Sequence, residues 1–356
     1  MSYRIRGRLA LFIALSAVIS GSSPKAYALG ECGLSCCVAG AFASGSTLAQ
    51  NFGLTLQYET TEMRTIREGT GRITPDKVLD NKASEWPAVP AQVKEFTVPT
   101  EMRMEKWSIL TVYPATERIQ LLGIIPWVRN EMDMRMIMRS TSGSTSKMNH
   151  AMDDVAGLGD ITLMGLYTAY TDAPIRPVQR LTLGLGIKTP TGKNNEKTSS
   201  GDYAHVMMQA GTGSWDPLFV VNYMRAFYPV VFQTSLIYQY ATEGDEGYEF
   251  GDQVTLDLIM RNQVANYINL GLEVNGLYAG KDEDHDGKYS SPETSLLDNV
   301  ANTGITAFYF SPTVQVKIPQ TPVSMDIKYQ VPVCQDANGV QQVVDSRWLV
   351  AISAAF

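Results

Sequence analysis

The chain is poor in the residues on which most catalytic and redox chemistry rests. Its 356 residues include three histidines and four cysteines. His150, His205 and His285 have no spacing that suggests a zinc site or a nucleophile–base pair. No Ser–His pair stands out, so the reading is of a non-enzyme. There is no C-x-x-C-H haem motif, so the chain would carry no electrons itself. Beyond residue 28 no run of roughly 18 apolar residues occurs, which excludes a helical membrane span there. Helix-period amphipathicity is nearly absent too. Positive charge is scarce: the formal net charge is −7, and an acidic chain argues against nucleic acid as a partner.

What is present begins with an export signal. Arg4, Arg6 and Arg8 precede a short apolar stretch, Leu9 to Ile19, and Ala26-Tyr27-Ala28 forms an A-x-A cleavage site. Residues 1–28 therefore read as a cleaved signal peptide. Without its four cationic residues the charge falls to −11. Residues 29–51 read as a periplasmic or plug segment carrying Cys32, Cys36 and Cys37, and residues 52–356 as one further domain.

That domain alternates. In QVTLDLIM, Val254, Leu256, Leu258 and Met260 oppose Gln253, Thr255 and Asp257. In YINLGLEVNG, Ile268, Leu270, Leu272 and Val274 oppose Asn269, Glu273 and Asn275. VSMDIKYQV sets Val323, Met325, Ile327, Tyr329 and Val331 against Asp326, Lys328 and Gln330. Period two means strands with one apolar and one polar face. Short turns at 114–117, 227–229, 262–265 and 319–322 alternate with longer polar stretches near 68–100, 139–157, 191–204, 243–250, 281–302 and 335–343. Short and long connections in turn mark an outer-membrane barrel with tight periplasmic turns and longer external loops.

The spacing predicts about twelve strands, near 52–67, 101–113, 117–138, 159–171, 179–190, 205–226, 230–242, 251–261, 266–280, 303–318, 322–334 and 344–356. The expected fold is an all-β, antiparallel, up-and-down transmembrane β-barrel. RWLVAISAAF closes it on an alternating strand ending in Phe356, like the assembly signal of outer-membrane proteins. Aromatic residues near strand ends, among them Trp127, Tyr167, Phe227, Tyr309 and Trp348, would form interfacial girdles. The polar residues Gln253, Asp257, Asn269, Glu273, Asn275, Asp326, Lys328 and Gln330 would line a lumen. Partners then follow: outer-membrane lipid, the barrel-assembly machinery and a small-molecule solute.

Four motifs follow one another: GLGDITLMGLYTAY (157–170), LGLGIKTPTGK (183–193), GTGSWDPLF (211–219) and TGITAFYFSPTVQVKIP (303–319). The series resembles the outer-membrane "transporter" family known for the MetA pathway of phenol degradation. The resemblance covers the chain from about residue 100 to its end. It implies a Gram-negative outer-membrane barrel that passes small molecules, aromatic or hydrophobic ones among them.

Two clusters suggest metal chemistry instead. DEDHDGKYSSPE has the spacing of a calcium loop: Asp282, Asp284 and Asp286 at positions 1, 3 and 5, the carbonyl of Lys288, a water held by Ser290, and Glu293 at position 12. No cofactor is required, but Ca²⁺ could stiffen this external loop. In NEMDMRMIM, Met132, Met134, Met136 and Met138 should share a strand face, with Met148, His150 and Met152 in the next loop. Thioethers are soft ligands for Cu(I). A copper-binding or copper-transporting barrel is thus one alternative to a channel. A structural barrel around a redox partner is another.

Overall fold

The computed structural model describes residues 51–173, 177–199 and 201–356. The signal peptide, the segment up to residue 50 and its three cysteines lie outside them. The alternating segments form β1 (Gly53–Met63), β2 (Lys94–Pro114), β3 (Ile119–Arg139), β4 (Thr162–Thr171), β5 (Gln179–Lys188), β6 (Asp216–Phe227), β7 (Val230–Gln239), β8 (Gln253–Ala265), β9 (Ile268–Ala279), β10 (Ile305–Lys317), β11 (Val323–Val343) and β12 (Ser346–Ala355). Each pairs antiparallel with its neighbours in sequence, and β12 returns to β1, from Gly53↔Ala355 to Glu62↔Ser346. At the seam the Phe356 amide donates to the Phe52 carbonyl at 2.8 Å, and their rings stack 6.4 Å apart. The ring of twelve strands is closed, so no strand edge is left to face lipid unpaired.

Its faces are those of a membrane barrel. On β8, Gln253, Thr255, Asp257 and Ile259 are buried, while Leu256, Leu258 and Met260 are exposed. The same inversion holds on β1, where Thr55, Gln57, Glu59 and Thr61 turn inward and Leu54 and Leu56 outward. An outward apolar band is stable only where lipid replaces water. Trp127, Tyr167, Phe227 and Trp348 are exposed, as girdle residues must be. Tyr309 is not among them: Phe308 and Phe310 take the outer face, and Tyr309 is only 3 % exposed inside the ring.

One end of the barrel carries tight joins, such as the two-residue Tyr228–Pro229 and Asn266–Tyr267. The other carries the long connections, and these hold more regular structure than their polarity suggests. Within 68–100 lies a helix, α1 (Pro75–Ser84), started by a Thr74 cap whose hydroxyl accepts from the Lys77 amide, with Pro75 in the first turn. Its Val78, Leu79 and Ala83 pack on Phe96, Val98, Ile137 and Leu296. Fully burying Leu79 contributes about 2 kcal/mol. Within 139–157, Thr145–Ala151 and Val155–Leu158 pair onto the projecting half of β3. Residues 335–343 are not a loop either. They continue β11, whose last residues pair with Thr65–Gly69.

Candidate functional site

Residues 205–215 alternate like the start of a strand, yet β6 begins only at Asp216. The segment before it folds into the barrel instead. Ala204, Met208, Gln209, Ala210, Thr212 and Ser214 are all buried, and Val206–Met208 makes one 3-10 turn. Val206, Met208 and Ala210 imitate a strand because they face a lumen that the infolded segment fills.

Three of the four quoted motifs meet to hold this segment. Asp160, which ends GLGD, accepts from the Gly192 amide at 2.9 Å and from both the amide and the hydroxyl of Thr212 at 2.8 Å. Lys188 lies 2.7 Å from Asp216 and 3.6 Å from Asp160, and donates to the Thr212 hydroxyl at 2.8 Å. Asp216 also accepts from the Gln239 side chain and the Thr242 amide. Removing three charges from water costs several kcal/mol each. Here one ammonium, three backbone amides, a hydroxyl and a side-chain amide supply the compensation. Glycine is required where the two loops cross. A Cβ on Gly211 would lie 2.5 Å from the carbonyl carbon and oxygen of Gly192.

The rest of the lumen is two-sided. Leu110, Val112, Leu122, Ile124, Met164, Leu166, Leu218, Val220 and Ile237 form one apolar cluster on β2, β3, β4, β6 and β7. Opposite runs a polar chain. Asn275 donates to Asp257 at 2.6 Å, Gln330 to Asn275 at 2.9 Å, and Arg347 to Gln330 at 2.5 Å. Arg347 then reaches Glu59 at 3.2 Å, and Glu59 reaches Lys106 at 3.6 Å. Nearby, Lys328 pairs with Glu273 at 2.5 Å, Arg261 with Asp326 at 3.3 Å, and Asn269 donates to Gln315 at 2.7 Å. Gln253 is buried on the same side. The structure therefore places all eight polar residues singled out in the sequence inside the ring. Glu59, Lys106 and Arg347 join them across the β12–β1 seam.

Between the infolded segment and the ring lies a cavity of about 110 Å³. Its wall is mixed: Met63, Met104, Ile124, Met207, Leu277, Ile305 and Tyr309 beside Glu59, Lys106, Lys188 and Arg347.

The two metal hypotheses fare differently from the lumen residues. NEMDMRMIM does not keep four methionines on one face. Met132 and Met134 are buried inside, but Ile137 takes the next inward position, leaving Met136 and Met138 partly exposed. The facing strand has a register shift at Pro99/Glu101, which moves the alternation by one. Met132 and Met134 join Met63, Met102 and Met208 in an apolar core, with Met104, Met152 and Met207 packed against it. Met148 and His150 are exposed above it.

The calcium spacing does not close on itself. Asp282 is buried, accepting from the Tyr248 hydroxyl at 2.7 Å and the Gly251 amide at 2.9 Å. Asp284 caps the Gly287 and Tyr289 amides. Asp286 pairs with Lys288, which also reaches Glu246. Ser290 is half-buried, and Glu293 pairs with Lys82 of α1 at 3.1 Å. Among the described residues no three His, Cys, Asp or Glu side chains gather as a metal site.

Burial sets the ionisation of the one buried acid in this loop. It pushes Asp282 up to about 7, against the opposing effect of its two hydrogen bonds, and lifts the Tyr248 hydroxyl well above its ordinary value.

An outer membrane channel from Pseudomonas putida F1 has the same fold. It is 13 % identical, with 86 % of this chain and 95 % of that one covered at a TM-score of 0.52. The Pseudomonas putida toluene transporter TodX aligns at 9 % identity over 93 % of this chain and 96 % of its own, with a TM-score of 0.45. A Pseudomonas aeruginosa FadL homologue aligns at 9 % over 86 % and 90 %, with a TM-score of 0.42. No curated protein matches the sequence. The profile of the family described as "Putative MetA-pathway of phenol degradation" matches residues 94–333, from β2 into β11 and across all the motifs that build the infolded knot, and the chain belongs to that family.

Proposed function

We propose that the protein is a plugged outer-membrane channel for small, single-ring aromatic solutes that carry one polar group. The observation that carries this reading is the cavity of about 110 Å³ with a mixed wall. An apolar cavity of roughly 150 Å³ holds benzene, so this smaller space admits one ring at most, as the flexible methionines of its wall give way. The apolar side contributes the favourable transfer of ring carbon from water. Met63, Met104 and Met207 add adaptable thioethers, which make favourable contacts with aromatic edges. Glu59, Lys106 and Arg347 offer hydrogen-bonding and charged groups to a ring substituent. The family's link to phenol and the fold of a channel support the same reading.

Titrating 4-fluorophenol into refolded protein and following its ¹⁹F resonance tests it. Saturable binding is expected, abolished by Ile124→Trp, which fills the cavity, and retained in Leu258→Trp on the lipid face. Absence of saturable binding, or binding indifferent to Ile124→Trp, would overturn the reading.

A further inference from the structure

A second, larger cavity of about 830 Å³ lies among the long connections, bordered by Lys197, Tyr203, His205, Lys288, Tyr289 and Asp298. A narrow gap of about 20 Å³, bordered by Val206, Met207 and Tyr248, shares Val206 and Met207 with the wall of the inner cavity. Four aromatic rings connect the three spaces. Tyr203 meets Tyr289 edge-on with centroids 5.3 Å apart, Tyr289 meets Tyr248 at 5.6 Å, and Tyr248 meets Phe250 at 5.1 Å. Tyr203 and Tyr289 border the outer cavity, Tyr248 the gap and Phe250 the inner cavity. The phenol hydroxyls are engaged elsewhere. Tyr289 donates to the Asn194 carbonyl, Tyr248 to Asp282 and Tyr203 to Glu246. With their polar tips tied back, the rings offer mainly carbon to a passing solute.

Val206 and Met207 stand across from this ladder. Both border the gap and the inner cavity, and Val206 packs against the ring cluster. They lie at the tip of the infolded segment, directly after His205, whose Nδ1 sits 2.5 Å from Asp298. The His205–Asp298 contact fixes the backbone there, so the narrow point depends on two side chains rather than on moving a loop. Side-chain rotation is fast compared with loop release.

We infer that solutes bind first in the outer cavity and reach the inner one along Tyr203, Tyr289, Tyr248 and Phe250, with Val206 and Met207 as the threshold. This rests on the channel reading above and names its outer site and its route. The ligand class is a flat aromatic alcohol. Its ring steps between edge and face contacts of similar kind, and its hydroxyl meets the polar rim of the outer cavity. Lys197 sits 4.8 Å above the Tyr203 ring, so an incoming ring displaces its ammonium from that face.

The test is the exchange rate of 4-fluorophenol with the inner cavity, read from ¹⁹F line shapes on the full-length refolded protein. Val340→Trp, at a residue that borders the gap and not the inner cavity, should slow exchange at least tenfold while equilibrium occupancy changes less than twofold. Val206→Ala, which leaves the fold intact and widens the gap, should speed exchange several-fold. Saturable binding in the wild type with exchange unchanged in the alanine variant, or in a tryptophan variant that folds, overturns the route and leaves the inner site standing. No saturable binding in the wild type overturns both.

Discussion

Lys188 and Asp216 lie 2.7 Å apart inside the barrel, both almost wholly shielded from solvent. They sit at the two ends of the connection between β5 and β6, so their pairing clamps the base of the infolded segment. Removing one partner of a buried pair leaves the other without compensation, at a cost of about 3–5 kcal/mol. Lys188→Met should therefore strand Asp160 and Asp216 and free residues 204–214. Denaturant unfolding in detergent would show a loss of that size, and limited proteolysis would open 189–215 before any barrel strand.

The glycine crossing gives a sharper contrast. Gly211→Ala should release the same segment, because a Cβ there would lie 2.5 Å from Gly192 backbone atoms. Gly157→Ala meets only the Ala210 Cβ at 3.6 Å, an ordinary contact. Proteolysis of the 189–215 connection should accelerate in the first variant and not in the second.

Asp282 makes the loop after β9 sensitive to pH. Its folded value of about 7 lies above its ordinary 3.8, so the folded loop holds a proton that the opened loop gives up. Its stability is then complete below about pH 4 and declines as pH rises towards 7, by on the order of 4 kcal/mol at most. Hydrogen exchange across 280–304 should quicken between pH 4 and 7 in the wild type. Asp282→Asn should flatten that dependence. Exchange slowing with rising pH, once the intrinsic rate is allowed for, would show the sign to be wrong.

Calcium should leave this loop unaffected. The four carboxylates among its six candidate ligands are engaged separately, Asp282 by Tyr248 and Gly251, Asp284 by the Gly287 and Tyr289 amides, Asp286 by Lys288 and Glu293 by Lys82. Adding Ca²⁺ or a chelator to the purified barrel should not move its thermal midpoint. A rise of several degrees with Ca²⁺ would mean that the loop rearranges around the ion.

Much of this fold is legible in the sequence, for one physical reason. A membrane barrel repeats one rule along every strand, apolar out and polar in, so each strand announces itself without knowledge of its neighbours. That rule locates all twelve strands and the polar lining from Gln253 to Gln330. It fails where alternation has another cause. Val206, Met208 and Ala210 alternate because they enter the lumen, and nothing local separates that from a strand. Gln335 to Val343 read as a loop because their partner, Thr65–Gly69, lies at the far end of the sequence. The methionine face breaks at a bulge set by the opposing strand. The helix was within reach: Thr74, Pro75 and Asp76 make an ordinary N-terminal signal, masked by the polar stretch around it. Asp160, Lys188 and Asp216 stand in three separate short motifs, and only the fold shows that they meet.

The most direct test of the account is single-channel conductance of the refolded barrel before and after residues 204–212 are replaced by a short Gly-Ser link. The infolded segment fills the lumen, so the wild type should conduct weakly and the shortened barrel several-fold more, with Lys188→Met in between. Equal conductance in all three, with the barrel intact by heat-modified mobility, would contradict the claim that this segment closes the channel.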